Sequence, residues 1–102
     1  MNDRISREEL VQLYKIEVSF FDSLEECGLL KTETENEIKY LLYEELPAFE
    51  RFTNWHYDLE VNLPGIEIIN GLLQKMEEQK EKHRLLLEKL NRISDKYEDT
   101  DS

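Results

Sequence analysis

Two histidines and one cysteine are the side chains of this chain best suited to binding a metal ion or attacking an electrophile. His56 and His83 are 27 residues apart, and no second cysteine accompanies them to complete a zinc ligand set. Cys27 has no histidine near it in sequence and falls on the apolar side of a predicted helix, which favours a buried structural thiol over a nucleophile. We expect no metal and no cofactor, and a structural or interface role for His56 beside Trp55.

Two acidic pairs have the residue types needed for general acid–base chemistry, namely Glu44 with Glu45 and Asp58 with Glu60. An active site also needs a concave apolar pocket and an orienting partner, and the sequence indicates neither. Two interpretations remain for these carboxylates, a solvated face and a surface that binds a basic partner. We therefore expect a protein without catalytic residues.

The charge of the chain restricts its partners. It has 102 residues, with 13 Lys and Arg against 24 Asp and Glu, and a formal net charge of −11. Residues 1–61 carry a balance of −9 and residues 62–102 a balance of −2. Such acidity disfavours DNA and anionic membranes and favours basic proteins. No window approaches the roughly 18 apolar residues of a membrane span, and the first residues lack a signal-peptide pattern, so we expect a cytoplasmic protein.

The elements that position these residues begin with two short helices. Ser6 followed by Glu9 is a capping box, which predicts a helix over residues 7–15. Its inward side chains are predicted to be Leu10, Leu13 and Tyr14. Ser19 is predicted to cap a second helix, which Gly28 ends. The apolar side of this second helix carries Phe20, Phe21, Leu24 and Cys27.

A hairpin and a third helix are predicted next. Thr, Ile and Tyr residues flank a turn at Glu35-Asn36 within residues 29–43, which predicts a short β-hairpin of the kind called a wing. Pro47 opens a third helix that is predicted to run to about Glu60. Its buried face is predicted to be Leu46, Phe49, Phe52, Trp55 and Leu59.

The last predicted element is a long helix, capped by Asn62, with Pro64 in its first turn. It runs to about Lys96, or roughly 50 Å. Its apolar residues follow alternating steps of three and four, which is a heptad seam for pairing with a second helix, and Gln79 and His83 are its polar interruption. The predicted dimerisation residues are Ile69, Leu72, Met76, His83, Leu86, Leu90 and Ile93.

The order of these elements resembles that of MerR-like proteins. The segment from His56 to Ile66, HYDLEVNLPGI, resembles a signature of the CbpM-type chaperone modulators, and Tyr43-Glu44 matches that family's aromatic-acidic pair at the end of the hairpin. The resemblance spans residues 5–92. It implies a mainly α fold: a MerR-like winged helix-turn-helix with a β-hairpin wing and a long C-terminal coiled-coil helix. The expected domains are a winged head (residues 1–61), a dimerisation helix (62–97) and a frayed tail (98–102).

The resemblance also implies a function. CbpM-type modulators bind the J domain of a DnaJ-like co-chaperone such as CbpA, block its stimulation of DnaK and have no catalytic activity. It further implies a homodimer with antiparallel long helices. We expect the acidic surface around Glu44, Glu45, Tyr57 and Asp58 to cover the J-domain face that DnaK needs.

A DNA-binding transcription regulator is the alternative that the MerR-like pattern also implies. There the second helix enters the major groove and the wing supplies cations to phosphates. The second helix here has no Lys or Arg, and each carboxylate near a phosphate adds repulsion. The acidic residues of these two elements are Asp22, Glu25, Glu26, Glu33, Glu35 and Glu37. A pure dimerisation module, which binds neither DNA nor a J domain, is a third possibility.

Overall fold

The computed structural model describes residues 3–98. Within that range the chain forms four α-helices and one three-stranded sheet, and a 3-10 turn at Tyr43–Glu45 precedes the third helix. In chain order the elements are β1 (Arg4–Ser6), α1 (Arg7–Tyr14), α2 (Val18–Glu26), β2 (Thr32–Glu35), β3 (Ile38–Leu42), α3 (Leu46–Tyr57) and α4 (Leu63–Glu98). The chain divides into two compact units, of which the first ends at Ile68 and the second begins at Ile69. Of the predicted tail, residues 99–102 lie outside the described residues, and Glu98 is the last residue of α4.

Helix α1 begins as predicted. The Ser6 hydroxyl accepts a hydrogen bond from the Glu9 N–H at 3.1 Å and donates one to the Glu9 carboxylate at 3.0 Å. Leu10 is buried, but Leu13 is 70% exposed, so its predicted inward position is wrong. At 100° per residue, Leu10 and the half-buried Tyr14 define a face from which Leu13 is rotated away.

Helix α2 buries the predicted aromatic face but has a different cap. Phe20, Phe21 and Leu24 are buried, and Gly28 follows in the left-handed conformation with φ +77°, both as predicted. The N-cap is Glu17, whose side chain makes no capping hydrogen bond, so the prediction of Ser19 as the cap is wrong. The helix starts earlier because the Glu17 carbonyl oxygen already accepts hydrogen bonds from the Phe20 and Phe21 N–H groups.

The hairpin exists, with its turn one residue later than predicted. Glu35 pairs with Ile38, so the turn residues are Asn36 and Glu37, with φ of 51° and 67°. Positive φ at both positions is the geometry of a type I′ turn, whose twist matches that of the two strands. A third strand, β1, has no predicted counterpart; it pairs antiparallel with β3 and gives the order β1-β3-β2. Three residues are too few to show an alternating pattern.

Helix α3 contributes the centre of the first unit's core. Phe49 and Phe52 are buried as predicted, but the helix ends at Tyr57, three residues early. Leu59 lies beyond its end and is 67% exposed, so the prediction that it is buried is wrong. The chain turns at Glu60, which has φ +58°. The described core consists of Leu10, Ile16, Phe20, Phe21, Leu24, Leu30, Leu41, Phe49, Phe52 and Ile66.

Helix α4 starts at the predicted cap. The Asn62 side-chain oxygen accepts a hydrogen bond from the Gly65 N–H at 2.9 Å, and Pro64 stands in the first turn. Ile66 is its one buried residue among those described and joins the core of the first unit. Among the described residues, no helix has the length and apolar content required to cross a bilayer.

Candidate functional site

The four predicted partner-binding residues lie at the two ends of α3. Glu44 and Glu45 belong to the 3-10 turn before this helix, whereas Tyr57 is its last residue and Asp58 its C-cap. At 1.5 Å per residue, the 12 residues of α3 and its flanks separate the two pairs by about 20 Å. The structure therefore brings the members of each pair together but does not bring the pairs into one patch.

The pair at the start of α3 has one exposed and one engaged carboxylate. Glu44 is exposed and lines a 150 Å³ surface cavity with Asp3, Leu42 and Tyr43. Glu45 is half-buried, and its Oε1 accepts a hydrogen bond from the Lys31 N–H at 2.9 Å. Glu45 therefore ties the start of α3 to the segment before β2, and Glu44 is the member of this pair that is available to a partner.

The pair at the end of α3 adjoins a cluster of aromatic rings. Phe20 stacks on His56 with centroids 4.4 Å apart, and Tyr57 meets both rings edge-on at 5.4 Å and 4.8 Å. The Tyr57 hydroxyl accepts a hydrogen bond from the Glu17 N–H at 3.0 Å. The Tyr57 ring remains 41% exposed, so it is a rigid, surface-accessible aromatic group beside the exposed carboxylate of Asp58.

A surface cavity of about 210 Å³ opens next to this cluster. His56 Nδ1 lies 2.9 Å from the Val61 carbonyl oxygen. Because a carbonyl only accepts, Nδ1 carries the hydrogen, and Nε2 of the neutral ring is an acceptor. The cavity is lined by Glu17, Ser19, Phe20, Ser23, His56 and Leu63. No local sequence signal groups these residues, since His56 is 36 positions from the ring that it stacks on.

The outer face of the sheet holds an arginine that is neutralised within the wing. The Arg4 guanidinium lies over the Tyr40 ring, 4.1 Å from its centroid. It donates to Glu33 at 3.1 Å and also pairs with Glu35. Both carboxylates belong to β2. The Arg4 guanidinium on this face of the sheet therefore already has two anionic partners.

Two further cations of the head (residues 1–61) are paired in the same way. Arg7 lies 2.9 Å from Asp22 of α2, and Lys39 of β3 lies 2.5 Å from Glu25 of α2. The hydrogen bond from Lys39, together with one from Thr32, holds the pKa of Glu25 below its ordinary value. Two carboxylates of α2, those of Asp22 and Glu25, therefore pair with basic side chains of neighbouring elements.

Cys27 is exposed, so the predicted buried thiol is wrong. It follows the last residue of α2, at a position that does not face the core. Partial desolvation and a hydrogen bond to the Glu67 carboxylate raise the pKa of the thiol. A raised pKa lowers the thiolate fraction at neutral pH, which argues against a nucleophilic role.

The predicted dimerisation residues lie on α4, and most of them belong to the second compact unit's exposed surface. Ile69 is half-buried, and the side chains of Leu72, Met76, His83, Leu86, Leu90 and Ile93 are exposed. Arg84 pairs with Glu81 at 2.6 Å and with Glu88 at 2.5 Å along the same helix. Ion pairs at such spacings support an isolated helix, but they leave its row of large apolar side chains uncovered.

Comparison with known proteins identifies the family. Residues 5–91 match the family described as MerR HTH family regulatory protein. No significant match was found among curated proteins or among solved structures. The matched range includes both short helices, the hairpin, α3 and most of α4, which are the elements of a MerR-like winged helix-turn-helix. The chain therefore belongs to the MerR family of helix-turn-helix regulatory proteins.

Proposed function

We propose that this MerR-family protein is a chaperone modulator of the CbpM type. It binds the J domain of a DnaJ- or CbpA-like co-chaperone in the cytoplasm and blocks stimulation of DnaK. It acts by covering a surface, without catalysis or a cofactor. One observation carries the proposal: α2 has no Lys or Arg, and Arg4, the cation on the outer face of the sheet, is paired with Glu33 and Glu35.

Electrostatics supports a basic protein as the partner. Residues 1–61 carry a balance of −9, and Glu44 and Asp58 are both exposed. Opposite charge on the partner raises the association rate and disfavours partners of the wrong sign. Resemblance to the CbpM-type modulators adds the identity of the partner, because a J domain engages DnaK largely through a basic helix.

A titration calorimetry experiment with the J domain of the co-chaperone from the same organism tests the proposal. We expect micromolar or tighter binding that weakens as salt rises, and loss of J-protein-stimulated DnaK ATPase activity when the protein is added. The DnaK ATPase activity without the J protein is the control and should not change. Absence of J-domain binding at physiological salt by calorimetry and by a second method would refute the proposal.

A DNA-binding regulator is the alternative, and the family match supports it directly. The same protein preparation should then be tested for binding to the promoter DNA of the operon that encodes the protein. A MerR-like DNA reader binds DNA with an affinity that falls steeply with salt, because phosphate contacts release counterions. Binding to DNA without binding to the J domain would favour this alternative.

We also propose that α4 pairs with α4 of a second copy in antiparallel orientation. Centred on residue 81, the seam matches itself: Ile69 faces Ile93, Leu72 faces Leu90, Met76 faces Leu86 and Gln79 faces His83. This register places apolar side chains opposite apolar ones and the two polar residues opposite each other, as a stable seam requires.

Sedimentation equilibrium tests this pairing. Leu86→Glu should yield a monomer, because it places a charge in the seam. Leu85→Glu is the matched control, since Leu85 is 50% and Leu86 53% exposed but Leu85 lies off the seam. The pairing is wrong if the wild-type protein is monomeric, or if both variants remain dimeric.

A further inference from the structure

We propose that the cavity between the first turn of α2 and the end of α3 binds one arginine or lysine side chain of a basic protein partner. Six residues line this cavity of about 210 Å³: Glu17, Ser19, Phe20, Ser23, His56 and Leu63. The cavity is a subsite distinct from the exposed carboxylates of Glu44 and Asp58.

The polar groups of the cavity are acceptors or hydroxyls. The Glu17 carboxylate only accepts, and His56 Nε2 accepts because Nδ1–H faces the Val61 carbonyl oxygen. No buried side-chain nitrogen or oxygen of the described residues lacks a hydrogen-bond partner, so Nε2 reaches solvent. The hydroxyls of Ser19 and Ser23 adapt to either role. Ammonium and guanidinium groups only donate, so they complement this arrangement.

The charge of Glu17 disfavours an anion in this cavity, although the cavity lies at the start of a helix. The Phe20 and Phe21 N–H groups donate to the Glu17 carbonyl oxygen at 3.1 Å and 3.4 Å. The Glu17 N–H donates to the Tyr57 hydroxyl at 3.0 Å. These three N–H groups are thus engaged within the fold, and the carboxylate of Glu17, which lines the cavity, repels a second negative charge.

The Glu17 carboxylate is available for a cation from outside. It makes no capping hydrogen bond, and its one hydrogen bond within the described part of the chain is from the Ser19 hydroxyl at 3.4 Å. No cation of residues 3–96 forms an ion pair with it. Phe20 and Leu63 supply apolar surface for the methylene stem of a long basic side chain, which packs its stem while its charged end stays polar.

This cavity rests on the proposed function only in requiring a basic partner. Binding to it can therefore be tested without a J domain. The probe is a helical peptide that contains arginine and lysine, titrated into the full chain labelled with ¹⁵N. The matched peptide carries citrulline and acetyl-lysine, which keep the shape and remove the charge. We expect the basic peptide to shift the His56 ring nitrogens and the Ser19 and Ser23 amides, and the neutral peptide to leave them unchanged.

Two single substitutions on α2 and its cap make the test specific. Glu17→Gln removes the carboxylate and keeps the backbone N–H that holds Tyr57, so it should weaken peptide binding at least fivefold. Glu26→Gln removes an exposed carboxylate of α2 outside the cavity and should change the affinity less than twofold. Equal losses in both variants, or equal binding of both peptides, would overturn the inference, because either result indicates attraction by net charge alone.

The J domain separates this inference from the proposed function. If the J domain does not bind and the basic peptide still shifts the cavity residues, the proposed function fails and the subsite stands. If the J domain binds with the same affinity to wild type and Glu17→Gln and leaves the His56 signals unchanged, the subsite fails and the proposed function stands.

Discussion

Charge reversal at the two ends of α3 is the most informative perturbation of the proposed J-domain surface. Glu44→Lys changes the start of the helix and Asp58→Lys its end. Glu45 is left intact because its carboxylate accepts the Lys31 N–H, so its reversal would disturb the fold as well as the surface. The helix dipole makes Glu44→Lys slightly destabilising and Asp58→Lys slightly stabilising, each by about 0.3–1 kcal/mol, which thermal unfolding can verify.

The expected loss of affinity follows from Coulomb's law. Two unit charges about 5 Å apart in water attract by about 0.8 kcal/mol, and a Debye length of about 8 Å reduces this to about half. Reversal replaces that attraction with an equal repulsion, so each substitution should cost about 0.9 kcal/mol, or about four- to fivefold in Kd. The ends of α3 are about 20 Å apart, beyond the Debye length, so the double variant should lose about twentyfold.

Calorimetric titration of the J domain at physiological salt measures these losses. Glu78→Lys on α4 is the control, because it makes the same change in net charge at an exposed position of the second compact unit. A loss in one single variant alone would assign the contact to that end of α3. The surface has been placed wrongly if the double variant binds within twofold of wild type. It has also been placed wrongly if Glu78→Lys loses as much affinity as Glu44→Lys or Asp58→Lys.

Three further substitutions test the fold. Phe21→Ala removes a fully buried ring and should lower the free energy of unfolding in urea by about 3–5 kcal/mol, and a loss below about 1 kcal/mol would contradict its place in the core. Lys39→Met should cost about 1 kcal/mol at pH 7, since both Lys39 and Glu25 are mostly shielded from solvent. The folded-state pKa of Glu25 is lowered, so this contribution is present above about pH 4.3 and is lost as the pH falls through the folded value; an equal cost at pH 7 and pH 2 would contradict the pairing. The rate of Cys27 alkylation should have its midpoint above about pH 8.5, and Glu67→Gln should lower that midpoint; no change would exclude the Glu67 contact.

The features that could be predicted from the sequence depend on residues close together in the chain. The caps at Ser6 and Asn62 and the left-handed Gly28 are set by neighbours within three or four positions. The candidate site depends on pairs far apart, such as the Tyr57 hydroxyl on the Glu17 N–H and the guanidinium of Arg4 on β2. No periodicity in a single sequence encodes those contacts, because tertiary packing chooses them.

Errors at single positions have the same origin. Leu13 and Leu59 fit an apolar period, yet both are exposed, because the period does not reveal where a short helix ends or which of its faces meets a neighbour. The apolar character of Cys27 predicts a buried thiol, but Cys27 is exposed because it follows the last residue of α2. A pattern identifies which residues are able to be buried, and the surrounding elements select among them.

The paired arginine on the outer face of the sheet has a consequence for how the charge of this surface can change by mutation. The Arg4 guanidinium lies over the Tyr40 ring and is paired with the carboxylates of Glu33 and Glu35. Replacing these two glutamates with glutamine would remove both anionic partners of the guanidinium without adding a new cation to the sheet. Two codon changes, each of a single base, therefore separate a paired arginine on this face of the sheet from an unpaired one.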